Sequence, residues 1–482
     1  MIYNFDLEDC FDEIVPDDDI KYLSEEDELE LYEMCSHIMY EFIQQHPTII
    51  TEPNFEEIFD ENIDELIHSN FIDYLDYTEE IEEEVNEIIE HCKSDFFKYI
   101  MPPRSYPSSI ILHKPNIEKI TDQINILKNK PQPAQRTSEW YSYRYNLITA
   151  SNAYKIFESQ AMKNQLIYEK CKPLADYSSG DNDDFKFVNV NSPLHWGQKY
   201  EPLSVMIYEE QFQTKIEDFG CIKHEKYNFL GASPDGINVD ETNDRYGRML
   251  EIKNIVNREI DGIPKKEYWI QMQLQMEVCD LDECDFLETK FIEYEDDERF
   301  KEDSAKDIDT DGEEFINLRE SVDGKLKGLM IYFQQKNGTP FYDYMPFDLY
   351  DEKDIDEWIE KEIEKYETEC EYTYMKINYW KLEKISCVLV CRNKEWFRLN
   401  IEEIEDMWKL IEHERVNGYE HRQPNKRTSN TNNQNTNTNT NITVTKIDGN
   451  TEQTNTNITP RLNLQFKNNN EPSKCLLKIV KK

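Results

Sequence analysis

GASPDGI at 231–237 and LEIKN at 250–254 together place Asp235, Glu251 and Lys253 in the pattern P-D … E-x-K. A Ser-Pro-Asp-Gly turn opens a short strand over 237–239. The polar turn ETNDRYGR then leads into a second strand over 249–255. Alternation on that strand puts Glu251 and Lys253 on one face and Ile252 on the other. Two carboxylates and an ammonium meeting at the ends of paired strands suit a hard, oxygen-liganded ion beside a water-orienting cation. Such a site can hydrolyse a phosphodiester. Taken alone, E-x-K is equally the solvated face of an amphipathic strand, so other segments have to supply partners.

A formal net charge of −46 argues at first against DNA, because phosphates repel carboxylates. The charge is unevenly spread. Residues 1–100 hold about thirty acidic side chains against three lysines and no arginine, while the final sixty residues carry roughly ten Lys and Arg against three acids. Nucleic acid is therefore not excluded. Eleven cysteines are scattered without a C-x-x-C pair. That fits free thiols in a reducing compartment, Cys387 and Cys391 on the apolar strand SCVLV among them. No signal peptide or bilayer-spanning run is read, so the expected protein is intracellular, in host cytoplasm if viral, with no membrane partner.

Residues 1–100 read as an acidic helical region. EDELELYEMCSHIMYEFIQQ (26–45) and the segment 71–100 repeat apolar residues at three- and four-residue spacing. This is a small bundle with a charged exterior, or an acidic surface for a basic partner. MPPRSYPSS and KNKPQPAQ mark 101–135 as a linker. From 136 to 420 the composition is that of a mixed α/β domain. Within it 293–314 reads as a loop, 348–371 as an exposed helix, and 380–400 as two strands before a helix over 401–415. The Asn/Thr-rich run over 421–482 has almost nothing to bury and reads as disordered.

Three further segments carry candidates. In RTSEWYSYRYNLITASNAYKIF (136–157), Ser138 and Ser151 read as caps of two short helices. A helix start at Ser151 with Arg144 nearby makes an anion site, although each is also an ordinary cap or surface cation. SPLHWGQKYEPLSVMIYEEQF (192–212) reads as a long helix with Trp196, Tyr200, Leu203 and Ile207 inward. Glu201 falls at the border of that stripe, and His195 reads as structural. PKKEYWIQMQLQMEVCD (264–280) reads as a helix with Gln271 and Gln275 one turn apart and Gln273 rotated away.

Taken in order, R-x-x-E-W-x-x-x-R-x-x-x-I-T-A-S, W-G-x-x-x-E, S-P-D-G, L-E-I-K and Y-W-I-Q-M-Q make the chain resemble the YqaJ-like viral recombinase and phage lambda exonuclease family. That family belongs to the P-D-(D/E)-x-K nuclease superfamily. The resemblance is strong over 136–294 and weaker to about residue 418. It implies a restriction-endonuclease-like α/β fold, a mixed, partly antiparallel sheet flanked by helices. By the same resemblance, Asp235 and Glu251 bind metal with the Ile252 carbonyl, and Glu201 joins directly or through water. Lys253 orients or helps deprotonate the attacking water, and Gln271 positions Lys253 or the water. Arg144, Ser151 and Ser233 match residues that grip a terminal 5′ phosphate. The implied cofactor is Mg²⁺, with Mn²⁺ as a substitute. An Asp, Glu and carbonyl donor set without clustered His suits Mg²⁺ better than zinc.

The expected activity is metal-dependent digestion of one strand of linear duplex DNA, 5′ to 3′, for recombination or repair. Expected partners are duplex DNA ends and a single-strand-annealing recombinase, with a homotrimer as candidate assembly. Two alternatives stay open: an endonuclease or structure-specific nuclease on the same fold, and a non-catalytic module that binds DNA ends or a partner protein. An iron–sulfur nuclease is disfavoured because the cysteines lack the required grouping.

Overall fold

The computed structural model describes residues 21–71, 78–111, 114–133, 137–174, 188–308 and 314–423. Arg136, the first twenty residues and the tail from 424 lie outside the described residues, so the expectation of disorder there is not addressed. Three amphipathic helices come first: α1 (Glu25–Gln45), α2 (Phe55–Phe71) and α3 (Glu79–Tyr99). Their apolar stripes meet through Phe42, Phe59 and Phe96.

The proline-rich stretch after them is more ordered than a linker. It contains β1 (Tyr106–Pro107) and α4 (Ile117–Asn129), which buries Ile124 and Leu127. Arg104, only 3% exposed, donates to the carbonyl of Ile50 (2.8 Å) and, through Nε, to that of Pro264 (3.1 Å). A guanidinium tolerates such burial because its N–H groups find carbonyls. It ties the first helices to the start of a helix that reaches the candidate site.

Next come α5 (Ser138–Tyr145), β2 (Ile148–Thr149), α6 (Ala150–Ala153), α7 (Gln160–Cys171) and α8 (Pro193–Phe212). Short strands follow: β3 (Ile216–Glu217), β4 (Ile222–Lys223), β5 (Leu230–Ala232) and β6 (Gly236–Asn238). Then come β7 (Met249–Asn254), α9 (Lys266–Cys279) and β8 (Glu283–Glu293). The remaining elements are α10 (Asp297–Glu302), β9 (Ala305–Ile308), β10 (Glu314–Asn317), β11 (Lys327–Gln334), β12 (Pro340–Tyr344), α11 (Glu352–Thr368), β13 (Thr373–Cys391) and α12 (Lys394–Asn417).

The main sheet runs β12-β11-β13-β8-β7-β6-β3, with β1 added on β13. Every pair is antiparallel except β7 with β8. A parallel pair requires a crossover, and α9 supplies it. On β7, Leu250 and Ile252 pack with Tyr208 of α8, Ile216 and Leu287. Glu251 and Lys253 alternate to the side where α9 lies. Gly236 is required here, since a Cβ would stand 2.2 Å from Ile216 Cγ2 and keep β3 off β6. A second small sheet joins β2, β5 and β4.

Several expectations need correcting. The 293–314 stretch is not one loop: it contains α10 and β9, and β9 pairs with β10, which begins at Glu314. Of the 380–400 stretch expected as two strands, 380–391 is the far half of one strand, β13, whose 19 residues absorb a register shift between Leu382 and Lys384, and 394–400 belongs to α12. The helix expected from 401 starts earlier, at Lys394, capped by Asn393. The described cysteines are free thiols. Among the described residues, no helix is long and apolar enough to cross a membrane.

Candidate active site

Asp235 ends the turn before β6. Its N–H donates to the Leu250 carbonyl (3.1 Å), and its Oδ2 accepts the Ile252 N–H (2.7 Å). The carboxylate is thereby pinned across β7, alongside Glu251. Glu251 is completely buried, which requires every lone pair to be answered. Its Oε1 accepts from Lys253 Nζ and from Gln271 Nε2 (2.7 Å), and its Oε2 accepts from Gln275 Nε2 (2.7 Å). Gln275 also donates to the Ser233 carbonyl (3.2 Å). The one-turn spacing on α9 therefore delivers both amides to one carboxylate. Gln273 points elsewhere, to the Cys391 carbonyl. Gln275 was not assigned a role from sequence, although its spacing from Gln271 was the available signal.

The electrostatics follow from crowding. Burial pushes the Asp235 carboxyl well above the usual range, and Glu251 and Glu201 add to it, against the opposing pull of Lys253 and the Ile252 N–H. For Lys253, burial alone would lower the value. Glu251 and Asp235 outweigh it and raise the ammonium above its ordinary range. The Tyr268 ring lies 4.9 Å from Lys253 Nζ and adds a cation–π contact. Glu251 thus holds Lys253 in its charged form.

Glu201 rides on α8, which covers the opposite, Leu250/Ile252 face of β7. It acts on Asp235 through its field. Among the described residues no group of three or more His, Cys, Asp or Glu is gathered closely enough to hold a metal ion. The donor chemistry nevertheless fits a hard cation. Two oxygen donors meet in a buried space where their charge exceeds that of the single ammonium, and Mg²⁺ commonly completes its shell with water.

Arg144, Ser151 and Ser233 also come together. Arg144 donates to Ser233 Oγ (3.3 Å) and Ser151 Oγ (3.4 Å), and its guanidinium lies 4.5 Å from the Trp140 ring. Ser233 stands two residues before Asp235, so this cationic cradle adjoins the carboxylates. The caps differ from expectation. Thr137, not Ser138, caps α5, and Thr149 forms a capping box with Asn152. Ser151 lies inside α6, a helix of four residues, so its contribution is a hydroxyl and not a helix start. His195 bonds Tyr342 Oη through Nε2 (2.7 Å), in keeping with a structural role.

Behind Arg144, Lys170 Nζ donates to the Arg144 carbonyl (2.9 Å). Burial pushes this lysine down to about 7, with Arg144 and Arg415 contributing. With a folded value below the ordinary 10.5, the unfolded chain binds the extra proton between the two. Stability from this group is therefore complete above the ordinary value and lost as pH falls toward 7. Wild type should gain on Lys170→Met by up to about 1.4 kcal/mol per pH unit between about pH 8 and pH 10 in denaturant unfolding. Parallel pH curves for the two proteins would refute a buried, depressed amine.

Comparison with known proteins adds the following. The family model described as YqaJ-like viral recombinase domain matches residues 139–282. The chain is 29% identical over 334 residues to "Uncharacterized protein R354" of Acanthamoeba polyphaga mimivirus; the match takes in 64% of this chain and 57% of that protein. The chain thus spans a little over half the length of this relative. Two solved structures align with it: LHK-Exo in complex with dAMP (TM-score 0.30), and an alkaline exonuclease, LHK-Exo, from Laribacter hongkongensis (TM-score 0.29). Each is 17% identical and covers 59% of this chain and 95% of its own. The stretch that matches this family model, residues 139–282, holds Arg144, Glu201, Asp235, Glu251, Lys253 and Gln271.

Proposed function

We propose that the chain is a metal-dependent deoxyribonuclease that digests linear duplex DNA from its ends, 5′ to 3′, in viral-type recombination or repair. One observation carries this reading: Lys253, Gln271 and Gln275 all bond the buried Glu251 carboxylate, while Asp235 is pinned to the Ile252 N–H beside it. Asp235, Glu251 and the Ile252 carbonyl would hold a Mg²⁺ or Mn²⁺ ion, with Glu201 joining directly or through water, and the ion would supply Lewis-acid neutralisation of the reacting phosphate. The protein's own groups do the rest. Lys253, kept charged, orients the attacking water and offsets charge growing on phosphorus. Gln271 holds Glu251 and, through it, Lys253. Arg144, Ser151 and Ser233 grip the terminal 5′ phosphate with a guanidinium and two hydroxyls. The single strand left behind suits an annealing recombinase, and a ring of three subunits around the duplex would supply processivity.

The test compares linear duplex DNA bearing 5′ phosphate or 5′ hydroxyl ends with covalently closed circles, in Mg²⁺ and in chelator. Nucleotide release from phosphorylated linear ends, only with Mg²⁺, is the expected result. Cutting of circles would instead favour the endonuclease, and end binding without turnover the non-catalytic module. Arg144→Ala should erase the preference for phosphorylated ends.

A further inference from the structure

The helix that carries Arg144 is held unusually. α5 is eight residues long; Trp140, Tyr141, Tyr143 and Tyr145 are half-buried and none of its residues is fully buried, so polar ties at its end add to apolar packing in fixing its place. Helix ends leave their last carbonyls without intrahelical partners. At the C-terminal end of α5 two side-chain donors join the Leu147 N–H, which meets the Arg144 carbonyl at 3.2 Å. Lys170, from the last turn of α7, donates to the Arg144 carbonyl (2.9 Å), and Arg415, from the last turn of α12, donates through Nη2 to the Tyr145 carbonyl (2.6 Å). The two are linked, because Arg415 Nε donates to the Lys170 carbonyl (2.9 Å). Arg415 also lies 4.1 Å from the Tyr145 ring, and Tyr145 Oη donates to the Cys171 carbonyl (3.2 Å). Three helix C-termini are thus tied at one point directly behind the guanidinium that reaches Ser151 and Ser233. One of those helices, α12, lies outside the matched stretch 139–282.

We propose that Lys170 and Arg415 are positioning residues for the terminal-phosphate grip: by fixing the end of α5 they set where Arg144 stands, so end discrimination depends on α12. This rests on the reading of Arg144 as the 5′-phosphate ligand. A guanidinium displaced by a fraction of an ångström still carries its charge but loses its match to the phosphate. Small misplacements of this kind are costly in rate.

The experiment uses the full chain. Initial rates on 5′-phosphate and 5′-hydroxyl duplex ends are measured for wild type, Lys170→Met, Arg415→Met, Arg415→Lys and Arg144→Ala, with melting temperatures alongside. In Lys170→Met and Arg415→Met the phosphate-to-hydroxyl ratio should fall roughly tenfold through a higher KM for phosphorylated ends. The rate on hydroxyl ends should stay near wild type. Arg415→Lys, which keeps the charge, should recover part of the ratio. A merely structural role would lower melting temperature and both rates together, leaving the ratio unmoved. An unchanged ratio in both Met variants, with Arg144→Ala abolishing it, overturns the proposal alone. An unchanged ratio in Arg144→Ala overturns the underlying reading and the proposal with it. Should Arg415→Met fail to fold, Lys170→Met, which removes only one buried amine, still decides the matter.

Discussion

Lys253→Met should lower DNA hydrolysis by about a thousandfold while linear duplex is still bound. The ammonium is gripped by Glu251 and lies 4.9 Å from the Tyr268 ring, and neither an anion nor a neutral ring can take over its positive charge at the reacting phosphate. Its value is raised above that of an ordinary lysine, Glu251 and Asp235 outweighing burial, and the group is therefore charged throughout the working pH range. Single-turnover rates at saturating enzyme, with binding followed separately in Ca²⁺, distinguish loss of chemistry from loss of affinity. A second readout accompanies the first. Removing the ammonium leaves the fully buried Glu251 carboxylate beside Asp235, which should cost about 3 kcal/mol without metal and much less in Mg²⁺. A variant with normal turnover would end the catalytic assignment of Lys253.

Asp235→Asn should abolish turnover to a comparable extent yet raise the melting temperature of the metal-free protein. The sign follows from the raised carboxyl. A folded-state value above that of an unfolded aspartate means the folded protein binds more protons between the two values, so stability falls as pH rises through that window. Above it, the ionised side chain is held against burial and against two other carboxylates. Asparagine keeps an oxygen for the Ile252 N–H, which now meets Asp235 Oδ2 at 2.7 Å, and sheds the charge. Thermal melts at about pH 8 in chelator should favour the variant by a few degrees, whereas added Mg²⁺ should stabilise wild type more. If the variant melts lower in chelator, carboxylate crowding is not what the site stores.

Local periodicity made the centre of this site readable. Strand alternation put Glu251 and Lys253 on one face, and they are in contact. A one-turn helical spacing put Gln271 and Gln275 together, and both reach Glu251. Where the sequence offers two adjacent hydroxyls, as at Thr137 and Ser138 or Thr149 and Ser151, composition alone does not choose the cap, and the threonine is the one used in both places. The stretch 394–400 has the aromatic and apolar residues of a strand, yet Asn393 caps a helix there and α12 takes it up. What stayed hidden depends on distant partners. Arg104 is buried by carbonyls 54 and 160 residues away, and Arg415 reaches a helix end 270 residues away. No window along the chain contains such pairs.

The parallel pairing of β7 with β8 bears on how the molecule can be divided. The matched stretch stops at residue 282, one position before β8 begins. A fragment trimmed there would keep Asp235, Glu251 and Lys253 but strip β7 of its neighbour along all six residues, Met249 to Asn254. It would turn an interior ribbon into a raw border of open amides and carbonyls, the kind that glues one molecule to the next.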